Sequence, residues 1–314
     1  MDASAPSVIA LVIYAIAGTS GLYAQTLLEL IGGRVGLGIA VAVVMTAGTV
    51  LVGDYFSHEA RQRFLGLQGG FVALGGMVFI TGGGILSDLH WRAPFGVYLL
   101  SLALIPLVLF LLKEPRHGGN EPAIPALDDR VRRIWPIFAA GFGVMAIFYI
   151  VPTQLPFVVI DHLGGSGKEA GFVIGTVTLF AAIGAFSYGR VRRRLGILEV
   201  FILIGFLQGI GLGVVGLADE LYQAFAPMVF AGLGAGLAMA NTQAWFLERA
   251  PADKRAKLAG FLTASLFLGQ FCSPLFVHPF LAIFQLHEVF TLFGAGLLAA
   301  GAILLAMRLT KRAT

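Results

Sequence analysis

The stretch AGFVIGTVTLFAAIGAFSYGRVRRRLGILEVFILIGFLQGIGLGVVGL, residues 170–217, decides the fold. It holds two apolar runs, 170–188 and 197–217, with Arg190, Arg192, Arg193 and Arg194 between them. Each run is about 20 residues, enough for a helix rising 1.5 Å per residue to cross a hydrocarbon core of roughly 30 Å. Clustered Arg and Lys mark the cytoplasmic end of such helices. The turn therefore lies inside the cell, and both runs leave it toward the outside.

The same alternation continues in both directions. Further apolar runs fall at 7–24, 27–53, 64–86, 94–112, 135–156, 223–247, 258–282 and 289–308, which brings the total to ten. Every second connection is basic. Arg61 and Arg63 occupy one, and Lys113, Arg116, Arg130, Arg132 and Arg133 the next. Arg249, Lys254, Arg255 and Lys257 follow the arginine turn, and Arg308, Lys311 and Arg312 end the chain. All but Arg34, Arg92 and Lys168 of the 21 basic residues thus fall on one side. The expected fold is an all-α polytopic membrane protein with ten transmembrane helices and both termini cytoplasmic. Residues 1–7 carry Asp2 and no cation, so the first run reads as a retained span, not a signal peptide.

Composition agrees. Hydrophobic residues make up 58% and charged residues 12%, about half the charge of a soluble domain. The net charge of +4 would suggest nucleic acid in a soluble protein. Here it is the excess of the cytoplasmic loops, and nucleic acid is excluded as a partner. Cys272 is the sole cysteine, so no intrachain disulfide forms. No HExxH, CxxC pair or GxxxxGK[ST] loop occurs, which leaves no cofactor, metal or ATP site. Gly165-Ser166-Gly167 imitates a serine-protease string, but it lies in a polar outer loop without a histidine base, and it reads as a turn.

The chain also repeats itself at an offset of 194 residues. Asp54, Arg61, Arg63, Gly66 and Gly75 correspond to Glu248, Arg255, Lys257, Gly260 and Gly269. An acid at the inner end of one span, a basic turn and a glycine at the start of the next recur in both halves, as a duplication would leave them. Segment 114–134, with its prolines and mixed charge, is the connection. The domains are then 1–113, a linker at 114–134, and 135–314, with four and six spans. Under the repeat, the first half lacks counterparts of the spans 135–156 and 170–188.

These residues resemble the major facilitator superfamily, in particular its drug and sugar efflux branch, over family helices 3 to 12. LLELIGGRVGLGIAVAVVMTAGTVLVGDYF (27–56), with Arg34 and Gly38, resembles family helix 4. Gly66, Gly75, Gly83 and Gly84 keep the glycine spacing of family helix 5, with Phe79-Ile80 replacing its Gly-Pro. In family helix 11 the equivalent site is Ser273-Pro274, near Gly269. GRVRRRLG (189–196) resembles the family's cytoplasmic turn, with Arg193 where an Asp is usual. The resemblance implies a secondary transporter of small organic molecules in the bacterial inner membrane. It works by alternating access, with possible proton antiport, and is a monomer when complete. A second expectation is an N-terminally truncated or misannotated product without transport activity; a distant third is a polytopic membrane enzyme.

Candidate residues follow. Glu248 is expected to pair with Arg193 or Arg194 at the inner face. Asp54, Arg61 and Arg255 complete the set of latch candidates. Such a pair made in one conformation and broken in another biases a two-state rocker. Arg34 lies about 10 Å from the outer end of its span. A central Arg costs about 2.5–3.5 kcal/mol in lipid, so it faces the interior or snorkels outward, with Glu29 a possible partner. The resemblance places this position in the central cavity and links it to proton coupling. Tyr149, Thr153, Gln154, Asn241 and Gln243 serve either substrate contact or hydrogen bonds between helices. Pro152 and Pro156 break their helix. Gly66, Gly75, Gly83, Gly84, Gly269 and Pro274 are helix-packing candidates.

Overall fold

The computed structural model describes residues 4–55, 58–111, 134–251 and 254–313. Among these every regular element is a helix. The first are α1 (Ser4–Gly18), α2 (Ser20–Tyr23), α3 (Leu27–Tyr55), α4 (His58–Leu89), a 3-10 segment Ala93–Leu99 and α5 (Leu100–Leu111). After the connection come α6 (Trp135–Phe148), α7 (Ile150–Phe157), a π turn Val158–His162, α8 (Gly167–Arg192) and α9 (Ile197–Val215). The last are α10 (Phe225–Arg249), α11 (Arg255–Val277) and α12 (Leu286–Ala313). The connection 114–133 lies outside the described residues.

Ten crossings are expected from the sequence. Among the described residues, eight helical segments are long and apolar enough to span a membrane. The other two expected spans are represented by apolar helices of fewer than 18 residues, Val8–Tyr23 and Leu74–Leu89. In the first, helix is interrupted at Thr19, whose hydroxyl donates to the Ala15 carbonyl at 2.7 Å. In the second, most side chains of α4 before Leu74 lie outside the described residues.

The described residues form two compact units, those within Met1–Gly75 and Gly82–Ile124, and those within Gly76–Thr81 and Pro125–Thr314. In the first unit α1 packs against both α3 and α5. Arg92 fastens the end of this unit after α2 by donating to the carbonyls of Leu22 and Ala24 at 2.8 and 2.9 Å.

In the second unit α8 lies against α10, α9 against α10 and α12, and α11 against α6. Lipid gives no hydrophobic drive for helices to associate, so close backbone approach carries the packing. Gly232 and Gly236 form a GxxxG pair on α10. A Cβ at Gly232 would meet the Val177 carbonyl at 2.5 Å, and one at Gly236 would overlap that of Ala181. The core around this contact includes Leu155, Val159, Val173, Val177, Met228 and Phe290. Arg308, near the end of α12, forms an ion pair with Glu199 in the first turn of α9.

The segment Trp135–His162 is broken as its prolines require. A proline has no N–H for the carbonyl four residues earlier, so Pro152 frees Phe148 and Pro156 frees Pro152. The helix changes from α6 to α7 at Tyr149. It then ends in the π turn, where Leu163 N–H reaches the Val158 carbonyl at 3.0 Å. Gly164, at φ +65°, turns the chain into α8. Ser166 caps that helix. Its hydroxyl accepts from Glu169 N–H at 3.3 Å, and its own N–H donates to the Glu169 carboxylate at 2.7 Å. The protease-like serine is a helix cap.

Candidate functional site

Two groups of polar residues stand out, one in each unit. The first lies where the C-terminal parts of α8 and α10 meet. Tyr188 and Arg192 are one turn apart on α8, and Asn241 and Glu248 are two turns apart on α10, so each pair shares a face. The two faces meet. Tyr188 donates its hydroxyl to Asn241 Oδ1 at 3.1 Å, and Arg192 donates to Glu248 Oε1 at 2.9 Å. Asn241 Nδ2 in turn donates to the Ile197 carbonyl at 3.1 Å, which ties in α9.

This corrects the expected partner of Glu248. Arg193 and Arg194 follow the end of α8 and are exposed in the turn. Arg192, in the last helical turn, holds the phase that faces α10. The spacing to Tyr188 was the signal available in the sequence. The pair is half-open to solvent, with side-chain exposures of 33% and 49%. Asn241 is 0% exposed and engages both ends of its amide with neighbouring helices. Gln243 is exposed, and Tyr149 and Gln154 are half-buried. The Thr153 hydroxyl donates to the Tyr149 carbonyl within its own helix.

The second group surrounds Arg34. Its guanidinium carbon stands 4.8 Å from the centre of the Phe95 ring and 5.8 Å from that of Tyr98. Tyr14 lies against Tyr98, with ring centres 5.4 Å apart. Arg34 Nη1 and Ser20 Oγ are buried without hydrogen-bond partners among the described residues. Glu29 is not a partner of Arg34; its Oε2 accepts from Gln25 N–H at 2.8 Å and caps α3. Sequence reasoning missed Ser20, Tyr14, Phe95 and Tyr98, because nothing in spacing alone brings α1 and the 3-10 segment to α3.

Asp54, Arg61, Gly66 and Arg255 lie outside the described side chains. Of the packing candidates, Gly269 lets α11 approach α6, since a Cβ there would overlap the Phe142 carbonyl. Pro274 sits inside α11. Gly84 offers its carbonyl to the Ser87 hydroxyl at 2.7 Å, and Gly75 is half-buried. A Cβ at Gly83 would find nothing within 4 Å among the described residues.

At the other end of the second unit a cavity of about 580 Å³ is lined by His162, Asp219, Phe284, His287, Glu288 and Thr291 among others. The His162 and His287 rings stack there at 3.9 Å and 6°. No group of three or more potential metal ligands occurs among the described residues.

Comparison with known proteins bears on this arrangement. The niacin transporter of Acinetobacter baylyi is 24% identical over 94% of this chain and 76% of its own length. Multidrug resistance protein 1 of Bacillus subtilis is 24% identical over 45% of this chain and 39% of its own. Among solved structures, a bacterial homolog of the human lysosomal transporter Spinster, inward-facing and unoccupied, aligns with TM-score 0.70. It covers 98% of this chain and 81% of that one at 18% identity. A POT family transporter in complex with a thioalcohol-conjugated peptide reaches 0.79 over 99% and 82% at 12% identity. These solved structures share the fold. The Major Facilitator Superfamily model itself matches residues 5–218 and again 137–314. By that match the chain, a membrane transport protein and not an enzyme, belongs to the Major Facilitator Superfamily.

Proposed function

We propose that the chain moves a small organic molecule across the bacterial inner membrane by alternating access, outward, in exchange for protons. It crosses the membrane ten times, four times before the connection and six after it, with both termini in the cytoplasm. The observation that carries this reading is the Arg192–Glu248 ion pair. It joins two helices at their inner ends, and the 194-residue repeat places an acid, Asp54, at the matching point of the first half. A pair of this kind, half-exposed and hydrogen-bonded, is strong enough to favour one state and weak enough to break. The name of the multidrug-resistance relative supports export; that of the niacin transporter supports a small organic solute. Tyr149, Thr153, Gln154 and Gln243 remain the residues of the second half assigned to the solute path, and Arg34 that of the first.

The test is flux in proteoliposomes holding the full chain, with a panel of dyes, sugars and small acids and an imposed pH gradient. The expected result is solute movement that follows the gradient and collapses with a protonophore. Movement no faster than in protein-free vesicles for every solute would sink the reading. Movement indifferent to the gradient would remove the proton exchange.

A further inference from the structure

We propose that His162 and His287 form a proton-operated clasp, closed while the pair holds at most one proton and opened when both rings carry one. The clasp joins the π turn Val158–His162 to the first turn of α12. It lies apart from the residues assigned above to the solute path, so it holds whether or not the chain transports.

Each ring is placed by a helix end. Pro156 gives the Pro152 carbonyl no helical partner, and the helix loosens into the π turn, of which His162 is the last residue. Behind it, Gly164 turns at φ +65° and the Gly165 N–H donates to the Val159 carbonyl at 2.8 Å, which holds the turn in shape. His287 is the second residue of α12. The two rings meet face to face, with centres 3.9 Å apart and planes 6° from parallel. Neither ring makes a hydrogen bond or ion pair among the described residues, so the stack is the contact they make with each other and nothing polar holds it.

Histidine exchanges its proton between about pH 5 and 8. A first proton leaves a cation over a ring, which is attractive. A second puts two like charges face to face, and the half-open position weakens their repulsion without removing it. The sign follows from this. The stacked arrangement takes up the second proton less readily than the separated one, so the clasp is favoured at high pH and lost as the pH falls. The charged groups nearby favour the separated imidazoliums. Asp161 is on the π turn itself, and Glu288 follows His287 on α12. Asp219, followed by Glu220, lies in the connection after α9 and lines the same cavity of about 580 Å³ as both rings. At the start of α8, Lys168 stands 5.9 Å from the centre of the Phe172 ring and Glu169 is held by Ser166. His278 opens the 3-10 segment before α12. α7 and the last three turns of α9 bring no ionisable side chain. Acids thus predominate around the rings. Asp219 makes no side-chain hydrogen bond or ion pair among the described residues, and Glu288 engages one oxygen with the Gln285 N–H. Both carboxylates line the cavity and can accept the N–H groups of rings that swing apart.

The experiment is a proton–carbon NMR titration of the detergent-purified full chain, labelled at its histidine rings, from about pH 8 to about pH 5. Stacked rings shield one another. At the upper end His162 and His287 are expected to show displaced ring signals, and at the lower end the displacement is expected to vanish. His162→Phe and His287→Phe each delete one signal, which identifies it. Each also keeps a ring in the stack that takes no proton, so the remaining histidine should stay displaced down to about pH 5. If one variant does not fold, the other supplies the same comparison. Undisplaced signals for the identified histidines at the upper end overturn the clasp. So does a displacement that persists at the lower end in the unaltered chain. A displacement lost equally in the Phe variant also overturns it, because the loss then does not come from repulsion between the two rings.

Discussion

Arg192 and Glu248 meet at 2.9 Å across the C-terminal ends of α8 and α10, and Tyr188 and Asn241 repeat the contact at 3.1 Å deeper along the same two faces. The outer pair of residues is charged and half-exposed; the inner pair is neutral, with Asn241 fully buried. The two contacts therefore have different consequences when broken.

Glu248→Arg puts two cations together at the latch and is expected to reduce flux. Adding Arg192→Glu reverses the pair and should restore much of it. Arg194→Glu should not, because Arg194 is exposed in the turn beyond α8. Flux in vesicles for the single and double variants checks this. Equal rescue by both reversals would show that general charge, and not the pair, matters.

Asn241 joins three helices and should act through stability. Asn241→Leu and Tyr188→Phe are each expected to cost about 0.5–1.5 kcal/mol, the range for hydrogen bonds between membrane helices. A double-mutant cycle followed by unfolding in mild detergent should give a coupling of similar size. Additive effects would mean that the 3.1 Å contact contributes nothing.

Gly236 allows α10 to touch the backbone of α8, and backbone cannot rotate away. Gly236→Ala is expected to force the helices apart at a cost of about 1–3 kcal/mol. Gly143→Ala on α6, where a Cβ meets nothing within 4 Å among the described residues, should be neutral or slightly stabilising. Unfolding midpoints of the two variants in one detergent separate these outcomes.

Orientation is open to labelling. In a background without Cys272, a cysteine at Lys168 is expected to react with a membrane-impermeant maleimide added to whole cells, and one at Arg194 only after lysis. Both positions reacting from outside would reverse or break the assigned topology.

The sequence by itself determined that the chain is helical and membrane-embedded, and which helix ends carry the cations. Those properties depend on length, apolarity and the placement of charge, which are additive along a chain and need no partner. It also located Arg34 as a residue too costly to leave in lipid, and Glu248 as the acid of a charged pair at a helix end. Only the tertiary structure decided their surroundings. Arg192 replaces Arg193 and Arg194 because the end of α8 fixes which arginine faces α10, and that phase is a matter of a single residue. Asn241 turned inward to Tyr188 and Ile197, while Arg34 met rings drawn from the 3-10 segment Ala93–Leu99. Contacts between helices depend on rotation and approach, which glycines such as Gly232 and Gly236 permit, and periodicity in one dimension does not encode them.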